Sequence, residues 1–304
     1  MIATMSDLST LYRFGDVTVA SELDLPGMAV APHAEAFDVG VHIAPPISFS
    51  DNGVSGSTTI EADGTCVVEL WPMARIETNL HRRSIVVHPY AGTTDSLLRH
   101  AVVDHALPRW FALLGRPAFH ATAVAVDGRA IAFMGASGRG KSTLAGSLVG
   151  QGGEWVADDL LLLDVNDVRT IAIPTVVSTR LLADSAAALG LDHDNAELIT
   201  NNASKRRWTV SGSSDPVQLS YIFVLDRRAD TQGPVVTTVL NARQAITELA
   251  LHWFLSGTEA VAPLKFLMTS DRLLRTTRML YLSYPNSYDR LGDTVAAIHT
   301  ELAR

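Results

Sequence analysis

The sequence predicts an α/β fold: a phosphate-loop core running from about residue 118 to 304, preceded by a smaller β-rich domain. Three observations predict it. Short apolar runs alternate with turn residues from Leu11 to about Tyr90. A strand-like run, a glycine-rich loop and a helix-like run follow one another from Ala130 to Gly150. Beyond that point a buried strand and amphipathic helices recur along the chain. The 304 residues and 32.7 kDa suffice for one large domain or two modest ones with a substantial core.

The N-terminal ten residues, MIATMSDLST, carry Asp7 and no apolar run behind a basic start, so they do not read as a secretory signal. Residues 1–92 read as the β-rich domain through FGDVTVASELDLPG, AFDVGVHIAP, TTIEADGTCVVELWP and SIVVHPY. Asp51-Asn52-Gly53 and Asp63-Gly64 lie between alternating segments, the pattern of tight hairpins. Residues 93–117 read as a linking helix, with Leu97, Leu98, Val102, Val103, Leu107, Trp110 and Leu113 near helical spacing and Asp95 in the first turn. Pro108 is expected to end or kink that helix.

From Ala118 onward, HATAVAV and AIAFMG read as strands flanking an Asp127-Gly128 turn, and STLAGSLVG as the helix after the glycine-rich loop. EWVADDLLLLDV and a strand near VRTIAIPTVV come next. In the polar stretch DHDNAELITNNASKRRW, the final NNASKRRW reads as a loop with three adjacent cations, Lys205, Arg206 and Arg207. QLSYIFVLD then reads as a buried strand, NARQAITELALHWFLSG as an amphipathic helix and DTVAAIHTELAR as a terminal helix.

Composition narrows the function. Hydrophobic residues make up 47% and charged residues 18%, as in ordinary soluble globular proteins. Lys and Arg total 24 against 32 Asp and Glu, so the formal charge is 24 − 32 = −8. That balance argues against nucleic-acid or anionic-membrane partners, and any anionic ligand needs a local device. Apolar clusters such as Leu160–Leu163 fall far short of the roughly 20 residues that cross a bilayer. A lone cysteine, Cys66, rules out an internal disulfide framework and fits a reducing cytoplasm, where it serves as strand filler. The chain is compatible with a homo-oligomer. Ten histidines form no zinc motif, and Trp110, Trp155, Trp208 and Trp253 read as core residues.

The local device is Gly135-Ala136-Ser137-Gly138-Arg139-Gly140-Lys141-Ser142-Thr143, which satisfies G-x-x-x-x-G-K-[ST]. Such glycines let the backbone turn its N–H groups toward phosphate oxygens, and the helix that follows adds its positive end. Lys141 supplies a point charge for the β and γ phosphates of ATP, and Ser142 a hydroxyl for Mg2+. Magnesium needs a second anchor, and three acidic sites compete: Asp158-Asp159, Asp164 and Asp226. Strand-end placement well downstream favours Asp226, whereas adjacency soon after the loop helix favours the pair, one member holding the metal and the other accepting a proton.

At His120, the Gly135 loop with Lys141, and Asp158-Asp159, the sequence resembles the HPr serine kinase/phosphorylase family, which is itself similar to phosphoenolpyruvate carboxykinase around the nucleotide. His120 stands fifteen residues before Gly135, and the aspartates seventeen and eighteen after Lys141, as in that family. The resemblance implies a core of that type. It also implies Asp158 as general base toward a serine or threonine hydroxyl, Asp159 as a magnesium-linked carboxylate and His120 beside the transferred phosphoryl group or the acidic pair. Lys205, Arg206 and Arg207 match only loosely, as a basic segment able to reach phosphate.

The arginine-glycine-rich segment and C-terminal docking element of HPr kinases proper have no convincing copy after Trp208. The opening LYRFGDVTVASELDLPG instead resembles the HPr-kinase-related proteins of peptide natural-product pathways, lasso-peptide clusters included. The resemblance thus implies a cytoplasmic, ATP-dependent kinase acting on a serine of a ribosomal precursor peptide. Two further readings stand beside it. One is a kinase/phosphorylase acting on a small carrier protein. The other is a module that senses ATP without transferring phosphate.

Overall fold

The computed structural model describes residues 10–31, 36–48, 56–175, 178–192, 196–198, 205–254 and 263–304. The chain divides into two compact units, one built on residues up to Arg116 and the other on the chain from Pro117. The expected turn at Asp51-Asn52-Gly53 lies outside the described residues.

The first unit holds β1 (Thr10–Phe14), β2 (Val17–Ser21), β3 (Ala29–Val30), β4 (Val39–Ile43), β5 (Thr58–Ile60), β6 (Cys66–Leu70), β7 (Ala74–Asn79) and β8 (Ser84–Pro89). They form one mixed sheet in the order β3-β1-β2-β4-β8-β7-β6-β5. Alternation drives it: in β8, Ile85, Val87 and Pro89 are buried and the residues between them half-buried. Asp63 and Gly64 join β5 to β6, with the Asp63 carboxylate accepting from the Thr65 N–H at 3.0 Å. Cys66 is buried in β6, and burial pushes its thiol pKa up, as befits a packing residue.

The helical segment that follows does not end at Pro108. Helices α1 (Asp95–Ala101) and α2 (Leu107–Leu113) are continuous through a π-helical turn at Val102–Ala106, and Pro108 sits in the first turn of α2. The Leu107 N–H reaches back five residues to the Val102 carbonyl, and the wider turn accommodates a ring that a regular helix interior would exclude. Leu98, Val102, Leu107 and Trp110 are buried, as their spacing predicts, whereas Leu97, Val103 and Leu113 are half-buried.

The second unit contains β9 (Ala118–Phe119), β10 (Ala121–Val126), β11 (Arg129–Met134), α3 (Lys141–Val149), β12 (Glu154–Ala157), β13 (Leu161–Val165), β14 (Thr170–Ile173), β15 (Ser178–Leu182), α4 (Ala183–Ala188) and β16 (Glu197–Leu198). It continues with β17 (Lys205–Thr209), β18 (Val217–Arg228), β19 (Val236–Val239), α5 (Ala242–His252), α6 (Pro263–Thr276), β20 (Arg278–Pro285) and α7 (Leu291–Leu302). The main sheet runs β12-β10-β11-β18-β14-β13-β9, and β20 pairs with both β18 and β19. Only β11–β18 and β18–β20 are parallel pairs in that sheet.

Period-two alternation splits the sheet's side chains between two apolar layers. Ala130, Ala132 and Met134 of β11 pack with Leu249 of α5 and Leu273 of α6. Ile131 and Phe133 pack with Leu144 and Leu148 of α3 and Val295 and Ile298 of α7. The result is a sheet covered by helices on both faces. Lys205–Arg207, expected in a loop, belong instead to β17, which pairs antiparallel with β15 from Lys205–Leu182 to Thr209–Ser178. Pairing with β15 satisfies backbone groups that a loop would leave to water, and it fixes successive cations on opposite sides of the strand.

Candidate active site

Register explains why the chemistry gathers at one end of this sheet. Ala121 lies opposite Met134, Ala123 opposite Ala157, and Met134 opposite Val224. The residues just before β10, just after β11 and β12, and near the end of β18 therefore meet at that end. These are His120, the Gly135–Gly140 loop, Asp158-Asp159 and Asp226-Arg227. Asp127 and Gly128 turn β10 into β11 at the opposite end, both with positive φ (50° and 73°), as a tight hairpin requires.

The loop leads straight into α3, with Gly140 as its N-cap at φ 91°, ψ 15°. A Cβ at Gly140 would come within 2.5 Å of the Tyr284 hydroxyl, so both conformation and space select glycine there. That hydroxyl donates to the Arg139 carbonyl. Two arginines tie the loop to the end of β18: Arg139 Nη1 donates to the Arg227 carbonyl at 2.7 Å, and Arg227 Nη1 to the Gly138 carbonyl at 3.2 Å.

Lys141 is only 7% exposed, and its Nζ donates to the Gly135 carbonyl at 2.8 Å. Burial lowers its pKa, and the Asp159 and Asp158 charges oppose that shift. Ser142 Oγ donates to Asp158 Oδ1 at 2.9 Å. Asp158 also accepts from Thr122 Oγ1 at 2.7 Å on the same oxygen and from Thr179 Oγ1 at 2.7 Å on the other. Its pKa is nevertheless pushed up to about 6, first by burial and then by the adjacent Asp159 charge.

Asp159, in the left-handed region at φ 66°, turns its carboxylate a different way from that of Asp158. Its Oδ2 accepts from Arg180 Nε at 3.1 Å and from Arg180 Nη2, and its Oδ1 lies 3.8 Å from His120 Nε2. Burial, the largest influence on His120, lowers its pKa, so its imidazole is neutral near pH 7.

A cavity of about 370 Å³ opens here. Ser137, Gly138, Gly140, Lys141, Ser142 and Thr143 of the predicted loop line it, as do His120 and Asp159. Gly135 and Arg139 line a neighbouring cavity instead. Of the basic segment only Lys205 reaches the 370 Å³ cavity; Arg206 lines neither cavity, and Arg207 is buried with its Nη1 3.9 Å from Glu197. Asp164 is exposed in β13, and Asp226 lies 3.8 Å from Arg139 Nη1, so neither approaches Ser142 as Asp158 does. The resemblance implies Asp158 as base and Asp159 as the magnesium-linked carboxylate; in the structure Ser142 bonds Asp158, and Asp159 lines the cavity.

No family model matches the chain, and neither does any curated protein sequence. Solved structures do show a similarity. The chain is similar to the Hpr(Ser) kinase/phosphatase from Coxiella burnetii, at 15% identity over 61% of this chain and 92% of that chain, with a TM-score of 0.29. At that TM-score the likeness carries no argument about chemistry, and the residues alone carry the functional reading.

Thr122, Thr179, Arg180 and Arg227 contribute to the site outside any motif of the sequence. Thr122 had a signal, because period two places it on the same strand face as His120. Arg227 directly follows Asp226 at the end of an apolar run, where a strand parallel to β11 delivers its end to the same edge. Thr179 and Arg180 lie in STRLL, which has no motif character; only the β15 backbone brings them in.

Oxygen donors dominate the spot between Ser142 and Asp158. Among the described residues no group of three or more His, Cys, Asp or Glu side chains could hold a metal on its own. A magnesium ion, which takes one or two protein oxygens and completes its shell with water and phosphate, suits this donor set.

Proposed function

We propose that the chain is an ATP-dependent kinase that transfers the γ-phosphoryl group to a serine hydroxyl of a peptide or protein. The observation that carries the reading is the 2.9 Å contact between Ser142 at the head of α3 and Asp158 after β12, with Lys141 beside it and Asp159 on the cavity wall. Gly135–Thr143 acts as the phosphate loop, its N–H groups and Lys141 receiving the β and γ phosphates. Lys141 already points back at loop carbonyls, so phosphate oxygens would replace the Gly135 carbonyl as its partners.

Ser142 and Asp158 would hold magnesium, which when bound neutralises charge on the β and γ phosphates. Asp159 takes the role of base, the reverse of the order the resemblance implies. Asp158 is occupied by three hydroxyl donors, while Asp159 faces the cavity. The acceptor hydroxyl gives its proton to the Asp159 carboxylate and its oxygen bonds the γ-phosphorus. The bond from that phosphorus to the bridging oxygen breaks, and ADP leaves with the electron pair. Arg180, Lys205 and Arg227 line the same cavity and offset the charge of the transferring group. Arg180, which donates to Asp159 in the free protein, exchanges the carboxylate for phosphate and so releases the base when nucleotide arrives.

A ribosomal precursor peptide, such as that of a lasso peptide, is the acceptor the sequence resemblance favours. The test is transfer of label from γ-labelled ATP to serine-containing peptides in the presence of magnesium. Labelled phosphoserine is the expected product. Label released only as inorganic phosphate contradicts the reading.

A further inference from the structure

A second cavity, of about 840 Å³, is lined by Gly135 and Ala136 and shares His120 with the nucleotide cavity. Its walls come from the end of β18 (Val224, Leu225 and Asp226), the β19–β20 pair (Thr238, Tyr281 and Ser283) and the last turns of α5 (Glu248, Leu251 and His252). Nothing in the proposed transfer uses these α5 residues. We propose that this cavity holds the stretch of the acceptor polypeptide beside the reacting hydroxyl, with Glu248 selecting a cationic side chain and Leu251 an apolar one. The proposal rests on the kinase reading above and deepens it.

Position, size and charge support it. His120 lines the cavity, and its Nε2 lies 3.8 Å from the Asp159 carboxylate, so an occupant reaching His120 comes close to the proposed base. The volume is more than twice that of the nucleotide cavity and exceeds what a small alcohol needs, but it is within the range of sites that enclose sizeable ligands. Among the charged groups, Arg139 and Asp226 lie 3.8 Å apart and offset one another. Among the described residues Glu248 pairs with no such Lys or Arg: Tyr281 donates a neutral hydroxyl to its Oε1 at 2.7 Å, and His252 Nε2 stands 3.9 Å from its Oε2. Burial depresses the His252 pKa, leaving that ring neutral at pH 7. The Tyr281 hydroxyl, its pKa raised to about 12, remains a donor. Glu248 thus presents an oriented carboxylate to the cavity with no arginine or lysine bound to it among the described residues, which suits an incoming lysine or arginine. Leu251, 71% exposed, offers an apolar contact at the rim that the isolated protein does not bury.

The experiment is an array of serine-centred peptides in which each flanking position is set to Lys, Glu, Leu or Ala, incubated with the full chain, magnesium and ATP. At one flanking position Lys is expected to give a kcat/KM roughly tenfold above Glu, which corresponds to about 1.4 kcal/mol. Glu248→Gln keeps an acceptor for Tyr281 and should erase that preference without changing KM for ATP, and Glu248→Lys should invert it. Leu251→Lys, an exposed change that spares the fold, should weaken Lys-containing peptides selectively. Phosphorylation with no flanking-charge preference, or a preference that survives Glu248→Lys, overturns the inference while leaving the kinase reading intact. Absence of transfer to every peptide, with ATP bound, overturns both.

Discussion

Asp158 and Asp159 are neighbours in sequence with different surroundings, and those surroundings assign their work. Three hydroxyls converge on Asp158, whereas Asp159 meets an arginine and a histidine at the cavity wall. Asp159→Asn is therefore expected to cut kcat by 10²–10⁴, in the order of what a positioned base contributes, while calorimetric ATP affinity stays near that of the unaltered chain. Asp158→Asn is expected to raise the magnesium concentration needed for half-maximal rate. With a folded-state pKa of about 6, Asp158 is ionised above that pH and protonated below it. The transfer rate should accordingly climb through pH 6 and level off above pH 7 in a pH–rate profile. The same shift has a stability consequence. A pKa raised above the unfolded value of 3.8 favours the fold below that value and loses the benefit as pH rises through about 6. Asp158→Asn should then melt a few degrees above the unaltered chain at pH 8 and not at pH 4, a difference that thermal unfolding at the two pH values measures.

At the level of elements, the junction of β11, its loop and α3 depends on Gly140. Gly140→Ala places a methyl against the Tyr284 hydroxyl and forces a left-handed alanine, so ATP affinity should fall by roughly tenfold or more. Tyr284→Phe in the same chain removes the opposing oxygen, and calorimetry should show part of the affinity restored, because only the conformational cost remains. This junction was legible in the sequence: the loop, the strand before it and the helix after it are consecutive, and so is the Asp127-Gly128 hairpin. Elements joined by distant pairing were not. Lys205–Arg207 follow an Asn- and Ser-rich run and read as loop, yet β15 recruits them as a strand. Thr179 and Arg180 come to Asp158 and Asp159 through that same pairing, which leaves no periodic trace. Helix α6, whose buried residues are Thr269, Ser270 and Leu273, has no clear apolar periodicity on that face, and the α1–α2 helix runs on through Pro108 because a π-helical turn precedes it.

Across the whole molecule, a formal charge of −8 coexists with a cation-lined cavity because the cations are concentrated. Lys141, Arg180, Lys205 and Arg227 meet around one cavity against Asp158 and Asp159, with His120 neutral. The identity of each loop residue was readable from composition and motif; the convergence of these four cations was not, since they come from α3, β15, β17 and β18. Among the described residues no helix is long and apolar enough to cross a membrane, in line with the short apolar runs of the sequence. The central claim is phosphoryl transfer from ATP to a hydroxyl, with Lys141 gripping phosphate and Asp159 taking the proton. Its most direct test is intact-mass measurement of serine-containing peptides after incubation with magnesium, ATP and the unaltered chain, Lys141→Ala or Asp159→Asn. The account predicts a gain of one phosphoryl group with the unaltered chain, lost in both variants, while Asp159→Asn still binds ATP. Unchanged peptide masses with the unaltered chain despite ATP binding, or an undiminished gain with Asp159→Asn, would contradict it.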